Sequence, residues 1–279
     1  DSEHTPFMGE GSTSSRSTYN LGNAIRIACQ NAKNILYSEA AKRLCVEPDE
    51  LKTRNGNIVV AKSMNNRIKI SELFMPYRGR PVNIHGGLAE QGEFIGTSTY
   101  LQNYAPEDYD TGQIDKNLAK KGIRHNSFYS YVAKAFEVAV NTETGEVKVL
   151  RSYSASDIGK AINPKMCEQQ ADGGMCMGIG SAIYEFADMH NGKVLNPTFT
   201  DYKVPSMTEI PLTDNFKSFL IETKPHKDGP FGAKGIGEGA MIAVEPAITN
   251  AVYDAIGARI TEIPLTPEKI LKALKGMEE

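Results

Sequence analysis

Glu238 is the residue whose neighbours best equip it for chemistry. It stands in the stretch Gly229-Pro230-Phe231-Gly232-Ala233-Lys234-Gly235-Ile236-Gly237-Glu238-Gly239, where no other acid competes for a proton. Without a Cβ, each glycine lets backbone approach a bulky ligand closely or take up a left-handed turn. A lone carboxylate in such a loop suits a general base held against the reactive end of a cofactor. A base so positioned contributes roughly 10²–10⁴-fold to rate. Lys234 precedes Glu238 and has two readings: it biases the carboxylate's charge, or it is a surface lysine. The loop lacks the Gly-x-x-x-x-Gly-Lys-Ser/Thr spacing of a nucleotide phosphate loop.

The elements that must hold this loop are legible in part. Leu21, Ile25, Ala28, Ala32, Ile35 and Leu36 recur at helical spacing and predict a helix over residues 19–45. Asn55-Gly56 turns into a short apolar strand, Ile58-Val59-Val60. Residues 100–126 are charged and aperiodic, and Lys116 to Arg124 reads as a solvated loop. Tyr131 to Val140 and Glu146 to Tyr153 predict paired strands, joined by the turn Thr142-Glu143-Thr144-Gly145. Asn163-Pro164 breaks the extended run, and residues 165–183 read as helical despite several glycines. Asn191-Gly192 marks another hairpin. A helix over Glu245 to Ile256 anchors the Glu238 loop, with Pro246 at its N1 position and Ala247, Ile248, Ala251, Val252 and Ala255 toward the core. Pro267-Glu268 opens a final short helix, and no repeat is visible. Hairpins mixed with helices predict an α+β fold, with approximate subdomains 1–125 and 126–279.

Composition excludes several classes. The 279 residues suffice for a large core. A net charge of −3, from 31 basic and 34 acidic residues, leaves no basic face for a nucleic acid. No apolar run is long enough to span a bilayer, and no signal peptide opens the chain. Cys29, Cys45, Cys167 and Cys176 are dispersed without a Cys-x-x-Cys pair, which argues against a zinc site or an iron–sulfur cluster on this chain. Free thiols in a reducing compartment are the expectation, hence the cytoplasm. The first residue is Asp1, so a chain that is processed, truncated or numbered from its first ordered residue is expected. His4, His85, His125, His190 and His226 form no constellation, and Met166, Met175 and Met177 read as packing.

A longer pattern surrounds the loop. Asp157-Ile158-Gly159-Lys160-Ala161-Ile162-Asn163-Pro164 precedes Gln170-Ala171-Asp172-Gly173-Gly174, then Met177-Gly178-Ile179-Gly180 and Glu185. Asn196-Pro197, Asp201-Tyr202 and Pro205 follow, then the Glu238 loop and Asp254-Ala255-Ile256-Gly257. This order resembles the C-terminal part of the molybdenum-binding subunit of the xanthine dehydrogenase/aldehyde oxidase family, and the likeness runs over almost the whole chain. The resemblance implies a molybdopterin, in mononucleotide or dinucleotide form, whose dithiolene holds the molybdenum without protein ligands to the metal. It implies that Glu238 is the catalytic base, taking a proton from a metal-bound hydroxyl. The oxygen then attacks an electron-poor carbon, with hydride passing to a sulfido or selenido ligand. It further implies that Gln170 contacts the pterin, its amide able to donate and accept. Ser14, Ser15 and Ser17 match a cofactor-contacting segment entering a helix, where backbone donors suit anionic groups; a plain helix cap is the simpler reading. Gly235 and Gly237 bring the loop backbone to the same cofactor.

The departures carry equal weight. The family's upstream Phe-Gly-Gly-type loop, its substrate-side arginine and its Gly-Gln-Gly-type segment have no convincing counterpart here, and Met8-Gly9-Glu10-Gly11 is a superficial echo of the last. The chain therefore reads as half of a cofactor site, completed by a second molybdopterin-binding chain or by a lost portion of this one. It is similar to the smaller of the two chains into which nicotinate dehydrogenases divide this subunit. That implies hydroxylation of an N-heteroaromatic substrate such as nicotinate with water-derived oxygen; purines and aldehydes are the alternative substrates. Iron–sulfur (2Fe–2S) and FAD subunits are implied as partners that remove the electrons. A competing reading is a cofactor-binding or assembly subunit that performs no chemistry.

Overall fold

Backbone contacts divide the chain into two units, one formed by Asp1–Tyr19 with Asn103–Glu279 and the other by Asn20–Gln102. The computed structural model describes residues 11–74, 96–98 and 128–277, together with Tyr100, Asn117, Lys120 and Asn126. The sequence readings at His4, His85 and His125, at residues 8–10 and over most of 100–126 lie outside the described residues.

In the smaller unit, helix α1 (Ser17–Leu44) is followed by an antiparallel sheet of β1 (Leu51–Arg54), β2 (Asn57–Val60) and β3 (Ser63–Lys69), and by the single turn α2 (Ile70–Leu73). The β1–β2 turn is built by Asn55 and Gly56, with φ of 47° and 73°, the left-handed pair that a tight hairpin requires. Ala40 and Ala41 of α1 are buried with Leu51, Ile58, Val60 and Leu73 in a small core. Strand β3 has no sequence signature because most of its residues are exposed and polar.

The larger unit is built on β4 (Val132–Val140) and β5 (Val147–Asp157), an antiparallel pair. Their turn is fixed by Asn141, whose Oδ1 accepts from the backbone N–H groups of Glu143 and Thr144 at 2.9 and 3.0 Å. Asn163 then caps α3 (Pro164–Ile183), its side chain accepting from Met166 N at 3.2 Å with Pro164 in the first turn. Asn163 and Pro164 therefore start this helix, six residues beyond the end of β5 at Asp157. A hairpin of β6 (Met189–His190) and β7 (Lys193–Val194) follows. Strand β8 (Phe216–Ile221), which the sequence does not reveal, joins β5 in parallel. Helices α4 (Val244–Ile256) and α5 (Pro267–Lys275) complete the unit.

The core of this unit lies on one face of the sheet. Val147 and Val149 meet Met175 and Ile179 of α3 and Val244, Ile248 and Val252 of α4, all at most 4% exposed. Helix α4 starts one residue earlier than expected, so Pro246 is its third residue, still in the turn whose N–H groups lack helical partners. Ala255 is exposed: the buried stripe follows i+4 spacing through Val244, Ile248 and Val252 to Ile256, whose larger side chain packs on the core.

Candidate cofactor site

The Glu238 loop is fixed by polar anchors. Lys234 is neither a surface lysine nor a partner of Glu238. Its side chain is 9% exposed and its Nζ lies 2.6 Å from Asp157 Oδ2 at the end of β5. The same ammonium donates to Tyr129 O at 2.9 Å, and the Lys234 backbone N–H donates to Ile158 O at 2.9 Å. Asp157 Oδ1 accepts from Gly159 N at 3.2 Å. Losing one member of so enclosed a pair would strand a charge, which costs about 3–5 kcal/mol when burial is complete. Ser130 Oγ donates to Gly235 O at 3.0 Å, a further tie.

Glu238 begins a 3₁₀ turn, Glu238–Ala240, seated on α3. A Cβ at Gly174 would stand 2.4 Å from the Ala240 Cβ. Gly174, one of the glycines that weaken the helix signal of residues 165–183, therefore admits this turn. From β4, Lys134 Nζ donates to Ala240 O at 2.8 Å and to Ser154 Oγ at 2.6 Å. Burial lowers the Lys134 pKa from 10.5 to about 8.

Ser15 meets Glu238 twice. Its Oγ donates to Glu238 Oε2 at 3.0 Å and accepts from the Glu238 backbone N–H at 2.8 Å. Ser14 and Ser15 both hold left-handed backbone, with φ of 55° and 53°, which costs a non-glycine residue roughly 1–2 kcal/mol. A Cβ at Gly235 would lie 1.9 Å from Ser15 O, so this glycine is required for the loop to pack against the serine segment. Gln170, on α3, donates from Nε2 to Gly237 O at 3.0 Å. Ser17, the first residue of α1, shares a 2.9 Å hydrogen bond with Ser12.

All seven residues singled out in the sequence, Glu238, Gln170, Ser14, Ser15, Ser17, Gly235 and Gly237, line one cavity of about 1010 Å³ within the larger unit. Sequence reasoning missed Lys160 and Glu245, which line it too. Glu245 accepts from Ser181 Oγ at 2.7 Å, which gives that carboxylate a structural partner. Lys134 and Asp157, which fix the loop from the sheet, were also missed; the alternation of β4 places Lys134 on the inner face and is the only signal that could have found it.

The residues present fit a pterin. The cavity is large enough for a flat bicyclic ring with a phosphate arm. Met166, Met177 and Ile242 offer apolar surface to a ring face, and all three are more than half exposed. The serine hydroxyls and the Gln170 amide offer groups for ring edges and an anion, and the Lys160 ammonium lines the cavity while ion-paired to Glu222 at 3.1 Å. Among the described residues, no cluster of three His, Cys, Asp or Glu side chains is placed to hold a metal ion.

A lone carboxylate on a glycine-rich loop, over a cavity of this size and lining, defines a domain for a large organic cofactor. The chain belongs to the molybdopterin cofactor-binding domain family, which it matches over residues 1–211. It is 30% identical over 277 residues to the gamma subunit of the 6-hydroxypseudooxynicotine dehydrogenase complex of Paenarthrobacter nicotinovorans, covering 97% of this chain and 31% of that one. It is 29% identical to the large subunit of nicotine 6-hydroxylase of the same organism, covering 96% and 30%. A reconstituted CO dehydrogenase from Oligotropha carboxidovorans shares the fold, with a TM-score of 0.76 at 24% identity over 99% of this chain and 31% of that one. The chain thus spans about a third of the length of these relatives.

Proposed function

We propose that this chain is the part of a molybdenum hydroxylase that holds molybdopterin and supplies its catalytic base, Glu238. The observation that carries the reading is the Ser15–Glu238 contact, which joins the two sequence-distant segments of the cavity at the one carboxylate without another structural role. The cofactor, when bound, supplies the electron-accepting metal and polarises the water-derived oxygen. The protein's contribution is positional and protolytic. Ser15 Oγ holds Glu238 Oε2, leaving Oε1 without a hydrogen-bond partner among the described residues. Oε1 accepts the proton of the attacking hydroxyl, and the carboxylic acid so formed returns it to solvent. Gln170 keeps a second amide N–H and its carbonyl oxygen for the pterin edge, beyond its bond to Gly237. Ser14, Ser17 and Lys160 line the same cavity and would offer hydroxyls and an ammonium to an anionic group of the cofactor.

The relatives named for nicotine and 6-hydroxypseudooxynicotine support a substrate with a nitrogen-containing aromatic ring, and we take nicotinate as the candidate. Their names as gamma and large subunits support an assembly of several chains; in the proposed reading, other chains carry the iron–sulfur and FAD centres and a second polypeptide closes the cavity. No helix among the described residues is long and apolar enough to cross a membrane, and the four unpaired cysteines suit the reducing cytoplasm.

Glu238→Gln in the assembled enzyme tests the reading. The amide keeps the shape and removes the base, so molybdenum and pterin content stay at the wild-type level while kcat falls by about 10²–10⁴-fold. Wild-type turnover in that variant overturns the assignment and favours a subunit that only binds the cofactor.

A further inference from the structure

The inner face of the β4–β5–β8 sheet changes character along its length. Val147 and Val149 of β5 belong to the apolar core. Leu150 is then passed over where the register shifts between Glu137 and Val138, a bulge that turns Ser152, Ser154 and Ser156 to the buried side. Lys134 on β4 and Ser218 on β8 pair with Ser154 from either side, so the three form one polar row across the sheet. At one end of the row the Lys134 ammonium donates to Ser154 Oγ and to Ala240 O, the last residue of the Glu238 turn. At the other, Ser218 Oγ donates to Asp172 Oδ1 on α3 at 2.7 Å. Lys134 has no carboxylate partner among the described residues. The carboxylates on the elements around it are engaged elsewhere: Glu238 with Ser15, Glu245 with Ser181, Asp172 with Ser218, Asp157 with Lys234 and Glu137 with Arg151. Lys148, Lys165, Glu168, Lys217 and Asp254, the other charged residues of these elements, are exposed, and burial pushes the Cys176 thiol up. An ammonium half withdrawn from water without a counter-charge costs folding free energy, as its lowered pKa of about 8 records. A residue that breaks this rule is expected where function requires it.

We propose that Lys134 is a positioning residue for Glu238: its ammonium clamps the Ala240 end of the Glu238 turn to the sheet and so sets where the carboxylate stands. This rests on the reading of Glu238 as the base and adds what holds that base from the sheet. The turn is short, with Glu238 O accepting from Met241 N and Ile242 N at 3.1 and 3.3 Å, so a shift at Ala240 passes directly to Glu238. A hydrogen bond from a charged donor is about twice as strong as one from a neutral donor. Below about pH 8 the ammonium holds the turn. Above it the neutral amine holds the turn more weakly, while the fold as a whole gains stability because no charge is buried. The local and global effects of pH therefore have opposite signs, which a purely structural lysine would not produce.

The test is amide hydrogen exchange of the assembled enzyme, read by mass spectrometry. In Lys134→Met the Met241 and Ile242 amides should lose protection by about tenfold or more, the loss of one hydrogen bond from a charged group. The Ile270 amide, which donates to Thr266 O in the core-facing α5, should keep its protection. Lys134→Arg, which retains the cation, should lie nearer the wild type. In the wild type, raising the pH from about 7 to about 9 should lower protection at Met241 and Ile242, after correction for intrinsic exchange, without lowering it at Ile270. Turnover of the loaded Lys134→Met enzyme should fall roughly 10- to 100-fold in kcat, the cost of a small misplacement, with KM and molybdenum content unchanged. Unchanged protection at Met241 and Ile242, or a loss shared equally by Ile270, overturns the proposal. If Lys134→Met does not fold, the wild-type pH comparison decides, and protection that moves in parallel at all three amides overturns it. Retained turnover in Glu238→Gln would remove the base assignment and leave the exchange pattern unaffected, so the two failures are distinguishable.

Discussion

Two irregular stretches of the larger unit reach order by opposite means. Residues 229–240, which carry Glu238, are held from within: by Asp157 on Lys234, by Lys134 on Ala240, by Gln170 on Gly237 and by Ser15 on Glu238 itself. Residues 186–212 are also tied locally. Asn196 donates to Phe186 O at 2.6 Å and accepts from Asp188 N at 2.9 Å. Yet their large apolar side chains point outward, with Phe199 and Leu212 80% exposed and Met207 93%. Polar anchors drawn from several elements fix a loop's geometry independently of any neighbour. Exposed apolar side chains leave the folding of the chain itself nearly unaffected, whatever they meet later.

The contrast can be broken by mutation. Lys234→Met should have the largest effect on stability, leaving Asp157 enclosed without its counter-charge and lowering the unfolding free energy by about 3 kcal/mol in urea melts. Gly174→Ala places a Cβ 2.4 Å from the Ala240 Cβ, and should cost about 1–3 kcal/mol while displacing the Glu238 turn. A fall in kcat with the melt unchanged by more than 1 kcal/mol would show that the turn moves without the core. Lys134→Met sharpens the comparison through pH. The folded pKa of Lys134 lies below that of the unfolded chain, so the unfolded state binds more protons between about pH 8 and 10.5. The wild type should therefore gain stability relative to the variant as pH rises through that window, with a constant difference below pH 8, read from urea melts at pH 7, 8 and 9. Met207→Ser should have the smallest effect, within about 0.5 kcal/mol in the isolated chain. A larger loss would mean that the outward side chains of this stretch are part of the fold.

Sequence alone made local structure legible and left long-range structure dark. Helix α1, the β4–β5 hairpin and α5 follow from periodicity and from turn and start residues close in sequence, such as Thr142-Glu143-Thr144-Gly145 and Pro267-Glu268. Strand β8 was invisible because its pairing with residues 152–157 is parallel and non-local. Lys234 was misread for a related reason: its partner Asp157 is 77 positions away, and spacing along the chain does not report such an encounter. Ser15 and Glu238, 223 positions apart, were each marked by family likeness as facing a cofactor. Nothing in the sequence showed that they bond to one another. The glycines of α3 were read as a weakness in a helix, and Gly174 has meaning only once the Glu238 turn is seated against it.

In the proposed function, the Glu238 carboxylate faces the reactive end of a molybdopterin, held there by Ser15. A structure of the assembled, cofactor-loaded enzyme tests it most directly. The carboxylate should then lie within hydrogen-bonding reach of the cofactor's reactive end, with the Ser15 contact retained. A Glu238 side chain turned into bulk solvent, away from the metal, would contradict it.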